Sequence, residues 1–197
     1  DGIKIIGSIT SSGYQEPIRG SPMMATLLDR EVTEADLDWL ITGCKFVEND
    51  KGRISDIGRP VSRADKTQQL FKINKGPRFD VNDTVDDSLK LVPMEYIIFI
   101  GDGASDIPTM AAARREGAYV HMVYDPQSAA SIEQASRVGN HGRRANTIGA
   151  WDFSKGETAA NHTYLMLEAA VLQRADSIVT GEALEIQNKV VPAAKHL

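Results

Sequence analysis

Disulfides, membrane spans and a basic surface are all missing from this sequence. A single cysteine, Cys44, stands among 197 residues, which excludes an internal disulfide framework and fits a reducing compartment. A cytoplasmic protein is therefore expected. No apolar run approaches the roughly 20 residues that cross a bilayer, and no signal peptide is visible, so no membrane partner is expected. Lys and Arg number 22 against 27 Asp and Glu, for a formal net charge of −5. The longest basic cluster is Arg143-Arg144, which gives nucleic acid no electrostatic footprint. Internal repeats and low-complexity tracts are absent too.

What is present is the material of a folded domain. The composition, 42% hydrophobic and 25% charged, allows one sizeable core or a core with a small appendage. The chain opens at Asp1 inside an apolar segment (IKIIGSI), which suggests a beginning that lies elsewhere. Residues 3–9 read as a buried strand, followed by the small polar run Thr10, Ser11, Ser12, Gly13. A short helix fits YQEPIRGSPMMATLL, interrupted by Pro17, Gly20 and Pro22. Residues 31–38 are charged and expected to be exposed. CKFVENDKGRISDIG reads as two short strands about an Asn49-Asp50-Lys51-Gly52 turn.

ADKTQQLFKINKG then predicts a helix, with Asp65 as N-cap, Gln68 three residues on and Gly76 as stop. A polar surface loop leads to a strand over residues 96–100 and an Ala-rich helix over 108–116, stopped by Gly117. A further buried strand over 118–125, a helix over 127–138 and a helical tail over 157–187 complete the pattern. Strands alternating with helices at these spacings predict an α/β layer structure with a parallel sheet.

Parallel sheets place ligands at the carboxyl ends of their strands, so the residues just after each strand matter most. Ser11, Ser12 and Gly13 offer hydroxyls and backbone N–H groups that suit a phosphate, although Ser-Ser-Gly is also an ordinary turn. The run YIIFIGDGASD ends an apolar strand on two acids, Asp102 and Asp106. Hard oxygen ligands there suit Mg²⁺, which keeps several waters beside a few carboxylates. The alternative is local: Asp106 caps the next helix and Asp102 accepts N–H bonds in the glycine turn. Lys66 stands at a helix start, where a cation opposes the macrodipole; it is either solvated or directed at a phosphoryl group.

In that order the pieces resemble the haloacid dehalogenase (HAD) superfamily of phosphohydrolases. The segment ending in ITSSG is similar to its second motif, DKTQ to its third-motif lysine, and IIFIGDGASDIPTM to its fourth, acidic motif. SSGYQEPIRGSP, DKTQQLFKINKG and WDFSKGET are further similar to one bacterial subgroup of HAD-like hydrolases. The likeness covers about residues 3–158. It implies a three-layer α/β/α fold with a mostly parallel, Rossmann-like sheet, and a small phosphorylated substrate hydrolysed through an aspartyl-phosphate. By the same resemblance Ser11, with Ser12 and Gly13, binds the phosphoryl group. Lys66 neutralises charge on that group and on the nucleophile. Asp102 holds Mg²⁺, and Asp106 supports the metal shell or a metal-bound water.

The departure is as informative. Family members open with an apolar strand ending in Asp-x-Asp, the nucleophile and the general acid/base. No such pair follows an apolar run here. Asp36-Leu37-Asp38 has the spacing, but EVTEA precedes it and Trp39-Leu40 follows, so it reads as an exposed helical stretch. In this fold the nucleophile strand lies between the strands bearing the second and fourth motifs. The resemblance therefore implies a first central strand missing from these residues and a longer polypeptide that supplies it, with these residues alone inactive. The expected organisation is a core over 1–158, with a hairpin or cap element at 43–58, and a helical extension over 159–197. A non-catalytic phosphate- or metal-binding module and a receiver-like α/β domain are the alternatives. His121 reads as a core histidine, while His141, Arg143 and Arg144 read as a polar loop. His162 and His196 lack metal-ligand spacing.

Overall fold

The computed structural model describes residues 5–22, 24, 37, 39–58, 60–140, 144–152 and 161–179. The chain divides into two compact units, Asp1–Ile73 and Asn74–Leu197. The expected boundary between 158 and 159 lies outside the described residues.

In the first unit a strand, β1 (Ile9–Tyr14), runs directly into a short helix, α1 (Gln15–Arg19). Pro17 falls in the first turn of α1, where its missing N–H removes no helical bond. β1 pairs in parallel with β2 (Ile41–Cys44), starting at Ile9 opposite Ile41. The expected strand over 3–9 is corrected: residues 5–8 carry no regular structure, and TSSG lies within the strand rather than after it. Ile5 is 77% exposed, so apolarity alone did not make a strand where none of the described residues pairs with it. The buried cluster of this unit joins Met24, Leu37 and Ile41, with Ile9 and Ile18 packed against it. Leu37 is helical and buried, which corrects the expectation of an exposed stretch at that residue; Asp36 and Asp38 lie outside the described residues.

The expected hairpin forms from β3 (Phe46–Glu48) and β4 (Ile54–Ile57), paired antiparallel. Its turn is built by Asn49, whose Oδ1 accepts the N–H groups of Lys51 and Arg53 at 3.0 and 3.1 Å. The helix α2 (Arg63–Lys75) follows. Its cap is Ser62, not Asp65: the Ser62 hydroxyl accepts the Asp65 N–H at 3.3 Å, and Asp65 Oδ2 accepts the Ser62 N–H at 2.7 Å. This reciprocal capping box starts the helix two residues before Asp65. Gly76 stops it at φ +88°, a backbone conformation that side chains disfavour.

The second unit holds a three-stranded, wholly parallel sheet in the order β5-β6-β7. Its elements are β5 (Ile98–Gly101), α3 (Ile107–Arg115), β6 (Tyr119–Tyr124), α4 (Ala129–Asn140), β7 (Thr147–Ala150) and α5 (Asn161–Val179). β5 starts later than expected because Met94–Tyr96 winds into a single 3₁₀ turn. The sequence pattern did not announce β7. The central strand β6 is buried along its length, with Val120, His121 and Met122 at 0% exposure, as a strand covered on both faces requires. Met110 and Ala113 of α3 are equally buried.

His121 is a core histidine, its Nδ1 2.7 Å from Thr147 Oγ1. Thr163 of α5 donates to the Ala150 carbonyl at 2.5 Å. Arg174, also on α5, stacks its guanidinium 4.9 Å from the Tyr119 ring centre, and burial holds its pKa below the usual arginine value. No described helix is long and apolar enough to cross a membrane.

Candidate functional site

Ser11, Ser12 and Gly13 form a bulge. Thr10 pairs with Thr42 and Tyr14 with Cys44, so three residues of β1 stand opposite Gly43 alone. Bulges bend a strand and redirect its side chains, and they favour the neighbourhood of active sites. Two local devices hold this one. Ser11 Oγ accepts the Gly13 N–H at 2.9 Å, which leaves the Ser11 hydroxyl hydrogen as a donor. Gly43 allows a very close backbone approach: a Cβ there would lie 3.0 Å from both the Gln15 nitrogen and the Gly13 oxygen, so the backbone would have to give by a few tenths of an ångström. Ser12 and Gly13 are exposed. The N–H of Gly13 is thus already engaged, while the exposed Ser12 and the Ser11 hydroxyl remain the groups suited to an anion.

Cys44 links this bulge to the approach of α2. Its thiol donates to the Ser12 carbonyl and accepts the Val61 N–H, each at 3.3 Å, and Val61 immediately precedes the Ser62 cap. Four residues after that cap stands Lys66, 9% exposed. The residue is thus largely out of water near a helix N-terminus, where a cation opposes the macrodipole. On the same helix Gln69 is buried and donates to the Trp39 carbonyl. The first unit so contains all the groups expected to meet a phosphoryl group.

The acids belong to the second unit. Asp102 follows β5 and is exposed; Asp106 is 5% exposed. Asp106 Oδ2 accepts the N–H groups of Asp102 and Gly103 at 3.2 and 3.3 Å, and the Asp106 N–H returns to the Gly103 carbonyl at 3.0 Å. Asp106 therefore braces the loop that presents Asp102, and α3 starts from it with Pro108 in its first turn. The local roles weighed for this pair are thus exchanged: Asp106 accepts the N–H bonds of the turn, the role expected of Asp102, and makes no side-chain cap bond to α3, while Asp102 is exposed.

An exposed carboxylate at a strand end fits a cation that retains most of its water. Among the described residues no three His, Cys, Asp or Glu side chains converge to hold a metal ion. Whatever completes a Mg²⁺ shell beyond Asp102 and Asp106 would thus be water, substrate or groups outside the described residues. Sequence reasoning missed three contributors: Gly43, Cys44 as a linker, and Ser62 as the cap. Ser62 had a signal, the S-x-x-D spacing to Asp65; Gly43 and Cys44 had none, because their roles depend on β1–β2 pairing. His141 and Arg143 lie outside the described residues, and Arg144 is half-buried in irregular chain.

The chain is similar to an uncharacterized protein of Borreliella burgdorferi. The two are 31% identical over 105 residues, a stretch that makes up 51% of this chain and 36% of the relative. The chain thus spans about a third of that relative's length. No protein-family model matches the sequence, and no solved structure matches it.

Proposed function

We propose that this chain is part of a Mg²⁺-dependent, HAD-like phosphohydrolase that cleaves a small phosphate ester. The observation that carries the proposal is the burial of Lys66, at 9% exposure, on the helix that Cys44 joins to the Ser11–Gly13 bulge. A lysine and hydroxyl donors supply the charge-assisted hydrogen bonds that suit a dianionic phosphoryl group. Ser11 and Ser12 donate to the phosphoryl oxygens, and Lys66 neutralises charge on them. Asp102 would hold Mg²⁺, with Asp106 bracing the loop through the N–H groups of Asp102 and Gly103. Positioning and charge neutralisation supply most of the rate in such transfers.

The nucleophilic Asp, which would form the aspartyl-phosphate, comes in this proposal from a strand outside these residues. β5 suits such a partner, because it pairs on one side alone among the described residues and its Ile100 is 44% exposed. The three-layer α/β/α arrangement belongs to the same proposal. So does activity that needs the longer polypeptide.

Binding of inorganic phosphate to the natural full-length polypeptide in Mg²⁺ tests the assignment by calorimetry. Lys66→Met and Ser11→Ala each weaken binding by about tenfold or more, the range of a charge-assisted hydrogen bond. Unchanged affinity in both variants would remove the phosphoryl site. The bracing by Asp106 favours a second reading, in which GDGASD is a structural turn of a non-catalytic, receiver-like domain; absence of any phosphate or Mg²⁺ binding would select it.

A further inference from the structure

Next to the bulge, at the carboxyl end of β1, stands an aromatic pair that the phosphoryl chemistry does not use. Tyr14 and Phe46 stack with ring centres 4.5 Å apart and planes inclined by 25°. The chain just after Tyr14 is pinned. Gln15 is 3% exposed and donates its side-chain amide to the Ile41 carbonyl at 3.2 Å. Glu16 Oε1 accepts the Phe46 N–H at 3.1 Å, which ties the start of β3 to α1. The platform is therefore fixed before any ligand arrives, and the ordering cost of binding is correspondingly small. Tyr14 nevertheless stays 38% exposed, and Ser12 nearby in the strand is exposed as well.

We propose that Tyr14, backed by Phe46, binds a planar aromatic ring in the leaving group of the phosphate ester, so that the substrate is an aryl- or nucleoside-type monoester. The inference rests on the phosphoryl-binding role proposed for Ser11 and Ser12. Tyr14 lies three positions after Ser11, so their Cα atoms are at most about 11 Å apart. That spacing is within the span of a phosphate ester that carries a ring. Stacking on an exposed aromatic face is sequence- and substituent-tolerant, so the class of ring is set and its decoration is not.

Two esters with alkyl leaving groups, benzyl phosphate and propyl phosphate, separate ring recognition from leaving-group reactivity. With the natural full-length polypeptide in Mg²⁺, kcat/KM for benzyl phosphate exceeds that for propyl phosphate by about tenfold, the size of one ring-stacking contact. Tyr14→Ala and Phe46→Ala bring the ratio close to one, and Tyr14→Phe, which keeps the ring and the packing, preserves it. A wild-type ratio near one overturns the inference, and so does a ratio unmoved in a folded Tyr14→Ala protein. Hydrolysis of neither ester overturns the phosphohydrolase reading and this inference with it; hydrolysis of both without preference overturns this inference alone.

Discussion

Asp106 holds Asp102 in place through the backbone: its Oδ2 accepts the Asp102 N–H at 3.2 Å while the Asp102 side chain remains exposed. The two acids therefore divide one loop into a support and a presented group. Asp106→Ala leaves the Asp102 and Gly103 N–H groups without that acceptor, at a cost of about 1–3 kcal/mol. Asp102→Asn removes nothing buried and stays within about 0.5 kcal/mol of wild type. Urea denaturation of the two variants checks the contrast. Equal destabilisation would contradict the division of roles.

A second expectation concerns the bulge. Gly43→Ala puts a Cβ 3.0 Å from the Gly13 carbonyl and the Gln15 nitrogen, and both are backbone atoms that cannot swing aside. Overpacking of this kind costs about 1–3 kcal/mol, and here it also displaces Ser11–Gly13. Thermal unfolding and phosphate affinity should fall together. A stable Gly43→Ala protein with wild-type phosphate affinity would mean that the bulge does not shape the site.

Ser62→Ala supplies a third. It removes the hydroxyl that accepts the Asp65 N–H and donates to Asp65 Oδ2 at 2.6 Å, so α2 loses its capping box. Loss of such a cap costs about 1 kcal/mol. Hydrogen exchange of the first turn, including the Lys66 amide, should accelerate, while Ser62→Thr retains protection. Equal exchange in both variants would place the start of α2 under other control.

The alternation of strands and helices in the second unit was legible because β6 and the helices α3 and α4 are long and strongly patterned. Gly76 and Gly117 marked helix ends through the positive φ that each adopts. The hairpin was legible from its Asn49–Gly52 turn. β7 was not, since TIGA is four residues with a glycine and owes its conformation to pairing with His121–Tyr124. Placement of β1 failed for the same reason: the apolar run before it has no strand to pair with among the described residues, whereas ITSSGY meets β2. Lys66 and Asp106 show the limit most clearly. Their types and spacing were visible, but the burial of Lys66 depends on segments that the fold packs around it, and the choice of Asp106 rather than Asp102 as acceptor depends on the backbone geometry of the turn.

The most direct test of the account is Mg²⁺-dependent hydrolysis of an aryl phosphate by the natural full-length polypeptide, compared with its Asp102→Asn variant. Asp102 is exposed, so the substitution leaves the fold intact and changes the proposed metal ligand alone. The account predicts hydrolysis that requires Mg²⁺ and falls by about 10²–10³-fold in the variant, the size of losing one preorganised electrostatic contact. Hydrolysis that proceeds at the same rate in Asp102→Asn, or no hydrolysis by the wild-type polypeptide, would contradict it.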